Sequence, residues 1–185
     1  MITFVTTNPG KFREVSAKLA PLGIRLARRD RAYPELQADR LEDVVRFAAG
    51  LVAKEVRGEF LIDDSGLFVE ALGGFPGVYS SYVYRTLGPA GLVRLLQGRR
   101  ERAARFETVF LLGNRGRPPR VFRGECEGTI ARIPRGHGGF GFDPIFVPTG
   151  ARRTFGEMSL REKNAISHRA RAAEALAHHL RRRRG

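Results

Sequence analysis

Two adjacent carboxylates, Asp63 and Asp64, close the apolar run of FLIDDSG and are the acids best placed for metal or proton chemistry. A short, fully apolar run predicts a strand buried on both faces, with the acids and a glycine turn at its end. Ligands of open α/β sheets gather beyond the carboxyl ends of strands. Successive side chains on a strand point oppositely, so the two acids should not share one task. One can hold a hard cation such as Mg²⁺, which combines carboxylate oxygen with substrate phosphate. The other is expected to be structural, capping a helix or pairing with an arginine.

Three further segments could complete a site. In TTNPGK a strand hands over to a helix, and the unpaired N–H groups of a helix start attract anions. Thr6, Thr7 and Asn8 offer side-chain donors, Pro9 suits the first helical position, Gly10 lets backbone approach a ligand, and Lys11 adds a mobile charge. The glycine spacing and GK[ST] ending of a P-loop are absent. In GGFGFDPIF, Phe140 and Phe142 sit among glycines, where one ring can stack on a base and the other can fill the core. In EKNAISHRARA, a helix capped by Ser167 would carry His168 and Arg169 in its first turn. Cations there oppose the helix dipole by up to about 1 kcal/mol, which argues for a task such as donating hydrogen bonds to a ligand oxygen.

The elements that must position these residues follow from periodicity. ITFVT predicts a strand, Asn8 the cap of a helix apolar at Phe12, Val15, Leu19 and Leu22, and Gly23 its end. IRLA predicts a second strand. Leu41, Val44, Val45, Ala48, Leu51, Val52 and Val56 mark an amphipathic helix, with Asp39 and Glu42 at capping-box spacing before it. The stretch LFVEALGGFPGVYSSYVY has no periodicity that fixes its organisation. A short helix is expected over 89–96, then two antiparallel strands, ARFETVFLLGN and RVFRGECEGTIARI, joined by RGRPP. A last helix places Ile166, Ala170, Ala173, Leu176 and Leu180 on one face. The expected class is α/β, a mixed sheet with flanking helices in one domain over 1–185.

Composition bounds the partners. The 185 residues suffice for a hydrophobic core, and no apolar stretch reaches the roughly 20 residues of a membrane helix. One cysteine, Cys126, excludes an internal disulfide and a multi-cysteine metal site. With no signal-like start, the expected location is cytoplasmic. The net charge of +14 favours anionic ligands, nucleotides among them. The arginines are spread along the chain except for the run 181–184, which reads as a solvated helix end. Against so many arginines, Lys11 and Lys163 stand out.

Together TTNPGK, DDSGLFVEALGGFPGVYS, GFGFDP and EKNAISHRA, in this order and spacing, resemble the inosine triphosphate pyrophosphatase family, also called Ham1-like. The resemblance spans nearly the whole chain. It implies an elongated mixed sheet with two lobes around a central nucleotide-binding cleft, in a homodimer. It implies Mg²⁺-dependent hydrolysis of ITP, dITP and XTP to the monophosphate and pyrophosphate, which cleanses the nucleotide pool. By that similarity Thr6, Thr7, Asn8, Pro9, Gly10 and Lys11 hold the triphosphate, Asp64 is the catalytic aspartate and Ser65 contacts substrate. Phe140, Gly141, Phe142 and Asp143 match the nucleoside loop, with Phe140 the stacking ring. Lys163, His168 and Arg169 match residues that read the base. Glu35, in YPELQ, matches a metal-binding glutamate beside Asp64. Phe142 stands where the family often has tyrosine or tryptophan, so that side chain offers no hydrogen bond here.

Two rivals weigh against this resemblance. A Maf-like nucleotide pyrophosphatase shares the strand–turn–helix start but is not expected to end in SHRARA. A nucleic-acid-binding protein would satisfy the charge, yet no segment resembles a nucleic-acid motif, so nucleic acid is not an expected partner.

Overall fold

A computed structural model describes residues 1–34 and 36–183. Seven strands form one sheet in the order β2-β1-β3-β5-β6-β7, with β4 paired to β3. They are β1 (Ile2–Val5), β2 (Leu26–Arg29), β3 (Glu59–Val69), β4 (Pro76–Gly77), β5 (Ala103–Asn114), β6 (Arg117–Ile130) and β7 (Phe146–Pro148). The helices are α1 (Pro9–Leu19), α2 (Leu41–Glu55), α3 (Ser80–Thr86), α4 (Gly88–Leu95), α5 (Leu160–Ile166) and α6 (His168–Arg182). β1 runs parallel to β2 and β3, while β4 and β7 run antiparallel to β3 and β6. The mixed α/β class is as expected. None of the described helices is long and apolar enough to cross a membrane.

The chain divides into two compact units, each drawn from separated segments. The first comprises Met1–Asp64, Thr108–Gly124 and His168–Gly185. Its core joins Phe4 of β1, Val15 and Leu19 of α1, Leu61 of β3, Phe110 of β5 and Leu176 of α6. Small residues Ala172, Ala173 and Ala177 let α6 pack closely in this core. The second unit comprises Ser65–Glu107 and Glu125–Ser167. Leu67, Val69, Leu92, Phe106, Phe146 and Phe155 dominate its core. In each, burial of large apolar side chains at about 1.5–3 kcal/mol apiece supplies the main driving force.

Several local expectations change. β3 does not stop at the acids but continues through Asp63, Asp64, Ser65 and Gly66 to Val69. Gly66 makes no turn: a Cβ there would lie 2.4 Å from the Gly77 carbonyl oxygen, so glycine serves the close approach of β4. α2 begins at Leu41 with Arg40 as N-cap and no side-chain cap bond, so the Asp39–Glu42 capping box does not form. Glu42 falls at the second helical position, one too early to close such a box. Instead Arg40 bonds Asp43. The β5–β6 turn is only Arg115 and Gly116, the latter at φ 79°, and the two prolines lie in β6. Ile166 belongs to a separate helix, α5, which ends at Ser167 in extended backbone before α6 begins. The sequence that defied periodicity resolves into the end of β3, a 3-10 turn over Glu70–Leu72, β4 and α3.

Candidate functional site

The turn at the start of α1 forms as its residues dictate. Asn8 is the N-cap in extended backbone, and its Oδ1 accepts from the N–H groups of Gly10 at 2.8 Å and Lys11 at 3.1 Å. Pro9 occupies the first helical position, where its missing N–H costs nothing. Thr6 Oγ1 accepts from the Asn8 N–H at 3.2 Å. The Arg28 guanidinium, from β2, donates to the carbonyls of Thr6 at 3.2 Å and Thr7 at 3.0 Å. The expected amide cradle is therefore altered: the N–H groups of Gly10 and Lys11 are taken up by the cap. For an anion, the turn keeps the dipole, the Lys11 ammonium and the Asn8 amide nitrogen.

Three separated segments meet at Asp63. Lys11 Nζ lies 3.2 Å from Asp63 Oδ2, and Arg169 Nε lies 3.6 Å from the same oxygen. Arg169 also donates to Glu14 of α1, a pair in which both side chains are 4% exposed. Two cations facing two acids satisfy the main condition for holding charge in a dry interior. They also account for the basic first turn of α6, because the carboxylates offset the unfavourable dipole. Of the two strand acids, Asp63 is thus the arginine-paired one. Asp64 is half-buried at the next position of β3, and alternation turns its side chain to the other side of the strand. Its carbonyl accepts from Thr108 Oγ1 at 3.0 Å, which fixes the backbone beneath it.

Tyr33 and Glu14, which the sequence reading did not single out, join this group. The Tyr33 hydroxyl donates to the Asp63 carbonyl at 3.4 Å. Burial first, then the charges of Asp63 and Asp64, push the phenol pKa upward, so Tyr33 remains a protonated donor. Glu14 lies one helical turn beyond Gly10, a spacing that could have marked it as facing the same way as the start of α1. His168 is buried at the first position of α6. Gly124 of β6 explains how the helix start is seated, because a Cβ there would come 2.1 Å from the His168 carbonyl oxygen. Glu35 lies outside the described residues.

The second unit holds Ser65, Phe140, Gly141, Phe142, Asp143 and Lys163. Ser65 is half-buried in β3. Asp143 organises the glycine loop: its Oδ2 accepts from the Phe140 N–H at 2.8 Å and from Lys163 Nζ at 2.5 Å. Gly139, at φ 70°, passes so close that a Cβ would lie 2.0 Å from Asp143 Oδ2. Lys163 is buried, with its ammonium 5.0 Å from the ring centre of Phe140 and 5.3 Å from that of Phe155. Gly141 supplies a φ of 64° between the two phenylalanines. Phe142 fills the core, edge-on to Tyr84 at 5.9 Å, whereas Phe140 stays half-buried. One ring in the core and one near the surface is the division expected from the sequence.

α5, which places Lys163, was legible but overlooked. Ser159 and Glu162 form a complete capping box, with the Ser159 side chain accepting from the Glu162 N–H and Glu162 from the Ser159 N–H. The spacing S-x-x-E states it directly.

As metal ligands, Asp63 and Asp64 provide oxygen alone. Among the described residues no group of three or more His, Cys, Asp or Glu side chains gathers to hold a metal. That donor set suits a hard cation sharing one or two carboxylates with a substrate's phosphates, not an all-protein cage.

Comparison with known proteins adds an independent line. The sequence model of the Ham1 family matches residues 2–179. The dITP/XTP pyrophosphatase of Thermococcus kodakarensis is 51% identical over 179 residues, 97% of this chain and 96% of that protein. The dITP/XTP pyrophosphatase of Pyrococcus horikoshii is 48% identical over 95% of this chain and 94% of its own. Among solved structures, a HAM1 protein from Coxiella burnetii superimposes with a TM-score of 0.82 at 32% identity, covering 98% of this chain and 100% of that one. The Staphylococcus aureus Ham1 protein gives the same score at 27% identity, covering 98% of each chain.

Proposed function

Since the chain belongs to the Ham1 family, we propose that it hydrolyses ITP, dITP and XTP to the nucleoside monophosphate and pyrophosphate, clearing them from the nucleotide pool. The enzyme class, a nucleoside triphosphate pyrophosphatase, rests on its full-length relatives. The observation that carries the chemistry is the meeting of Lys11, Asp63 and Arg169, which ties the amino-terminal turn, the acids and the start of α6 together.

In this reading the triphosphate lies against the start of α1. Lys11 and the helix dipole stabilise its oxygens, most strongly as charge builds on the pyrophosphate leaving group. Asp63 keeps Lys11 and Arg169 in place and spends its own charge on them. Asp64 orients a water and takes its proton as the oxygen attacks the α-phosphorus. Mg²⁺, held by Asp64, would neutralise phosphate charge. Glu35 is its proposed second ligand. Thr6, Thr7 and Asn8 border the phosphates, and Ser65 contacts substrate beside Asp64. Phe140 stacks on the purine, in the loop of Gly141, Phe142 and Asp143. Lys163, His168 and Arg169 set the base preference. A keto oxygen at position 6 accepts from a donor aimed there, whereas the amino group of adenine sets donor against donor, a mispairing that can discriminate by about 10⁴ or more.

A cytoplasmic homodimer completes the proposal. The homodimer is supported by the exposed large side chains Tyr79, Tyr82 and Leu87, in and beside α3 of the second unit. Light scattering on the purified chain should give twice the 20.6 kDa subunit mass, and a strict monomer would remove this part.

The deciding assay supplies ITP, XTP, dITP, GTP, ATP and dTTP with Mg²⁺ and identifies the products. Pyrophosphate released chiefly from ITP, XTP and dITP is expected. Orthophosphate release, or a preference for dTTP, would overturn the proposal.

A further inference from the structure

The first unit contains a concavity of about 310 Å³, built from the opening residue of β3, the end of β5, the start of β6 and the end of α6. Its rim carries Arg117, Arg120 and Arg183, with His179 and a single acid, Glu59. None of these belongs to the segments assigned to the nucleotide. Glu59 opens β3, four residues before Asp63, a separation of roughly 13 Å along a strand.

Charge there is unbalanced. Glu59 is engaged by Arg183 at 2.5 Å. Among the described residues neither Arg117 nor Arg120 has a carboxylate partner. Leu112 and Gly113 supply a buried apolar floor, with Pro118, Arg117 and Arg120 exposed around it. Phe122 holds the His179 ring at 5.5 Å between centres. Arg120 and Phe122 are two apart on β6 and so share a strand face. The one carboxylate inside already shows what such a rim accepts, since a guanidinium fork matches the paired oxygens of carboxylate or phosphate.

We infer that this concavity is a second anion site, taking a compact polyphosphate such as inorganic pyrophosphate between Arg117, Arg120 and Arg183. The volume stands at the lower end of small-molecule pockets, which favours a small anion over a nucleoside triphosphate. The arrangement also makes His179 a built-in reporter. Burial, then Arg120 and Arg183, hold its pKa below the ordinary value, with Arg182 adding slightly and Glu59 opposing. A bound anion would reverse that field and raise it.

The test is a pyrophosphate titration of the full chain without added metal, followed by histidine-ring NMR at constant ionic strength. The inference predicts saturable binding with an upward shift of the His179 pKa. Arg117→Gln with Arg120→Gln should weaken the His179 response at least about tenfold, given the worth of hydrogen bonds to charged groups. Arg152→Gln with Arg161→Gln, away from the concavity, should leave it unchanged. Orthophosphate and sulfate arms separate polyphosphate recognition from general anion attraction. A response at His168 alone, an equal effect of all anions, or full binding by the Arg117/Arg120 variant would each overturn the inference. The readout is independent of turnover, so the proposed hydrolysis stands or falls separately.

Discussion

Asp63 and Asp64 are chemically identical neighbours separated by their surroundings. Asp63 is 2% exposed and carries Lys11 and Arg169, which makes it a fixed counter-charge. Asp64, whose side chain leaves the strand on the other side, is the acid assigned the proposed proton transfer. Asp64→Asn should therefore keep the melting temperature within a few degrees and lose at least about a hundredfold in pyrophosphate release. A fully active variant would remove Asp64 from its role. Glu14→Gln tests the buried pair instead. Removing one partner leaves the Arg169 charge poorly compensated, at a cost of about 3–5 kcal/mol. Urea denaturation should register this loss, and an unchanged midpoint would show that the pair contributes little.

At the scale of elements, glycine decides where helices and strands can meet. Gly124→Ala drives a Cβ into the His168 carbonyl and the Ala172 N–H, both backbone atoms that cannot swing aside. Overpacking of this kind costs about 1–3 kcal/mol. Because it lifts the first turn of α6, it should also lower activity more than a stability loss alone explains, as seen well below the melting transition. α5 carries a pH signature. Hydrogen bonds from Arg153 and Ser159 lower the Glu162 carboxyl pKa to about 2, from an ordinary 4.5. Such a depressed group stabilises the folded chain above pH 4.5, and the benefit fades as pH falls toward 2. Thermal melts of Glu162→Gln should be shallower across that window, and identical acid limbs would show that the box does not couple to folding.

The whole molecule presents a net charge of +14 to a polyanionic substrate. Long-range attraction of this sort speeds capture and is screened by salt. Raising ionic strength from about 0.05 to about 0.5 M should lower kcat/KM severalfold with a smaller effect on kcat. A salt-independent kcat/KM would mean that the charge serves another purpose.

Much of the site was legible because it rests on local rules. Asn8 as cap, Pro9 at the first helical position and Gly23 as stop follow from backbone donors and allowed φ values, which a few neighbouring residues determine. The four motifs and their order likewise belong to the chain alone. Other features needed tertiary structure. β3 runs past DDSG to pair Leu67 and Phe68 with β4, and no residue near Gly66 announces a strand that begins ten positions later. The partner of Arg169 is Glu14, 155 residues away. Local sequence states which groups can cap, turn or ionise. Only packing decides which charges share an interior, because that choice depends on distances between segments that the chain brings together last.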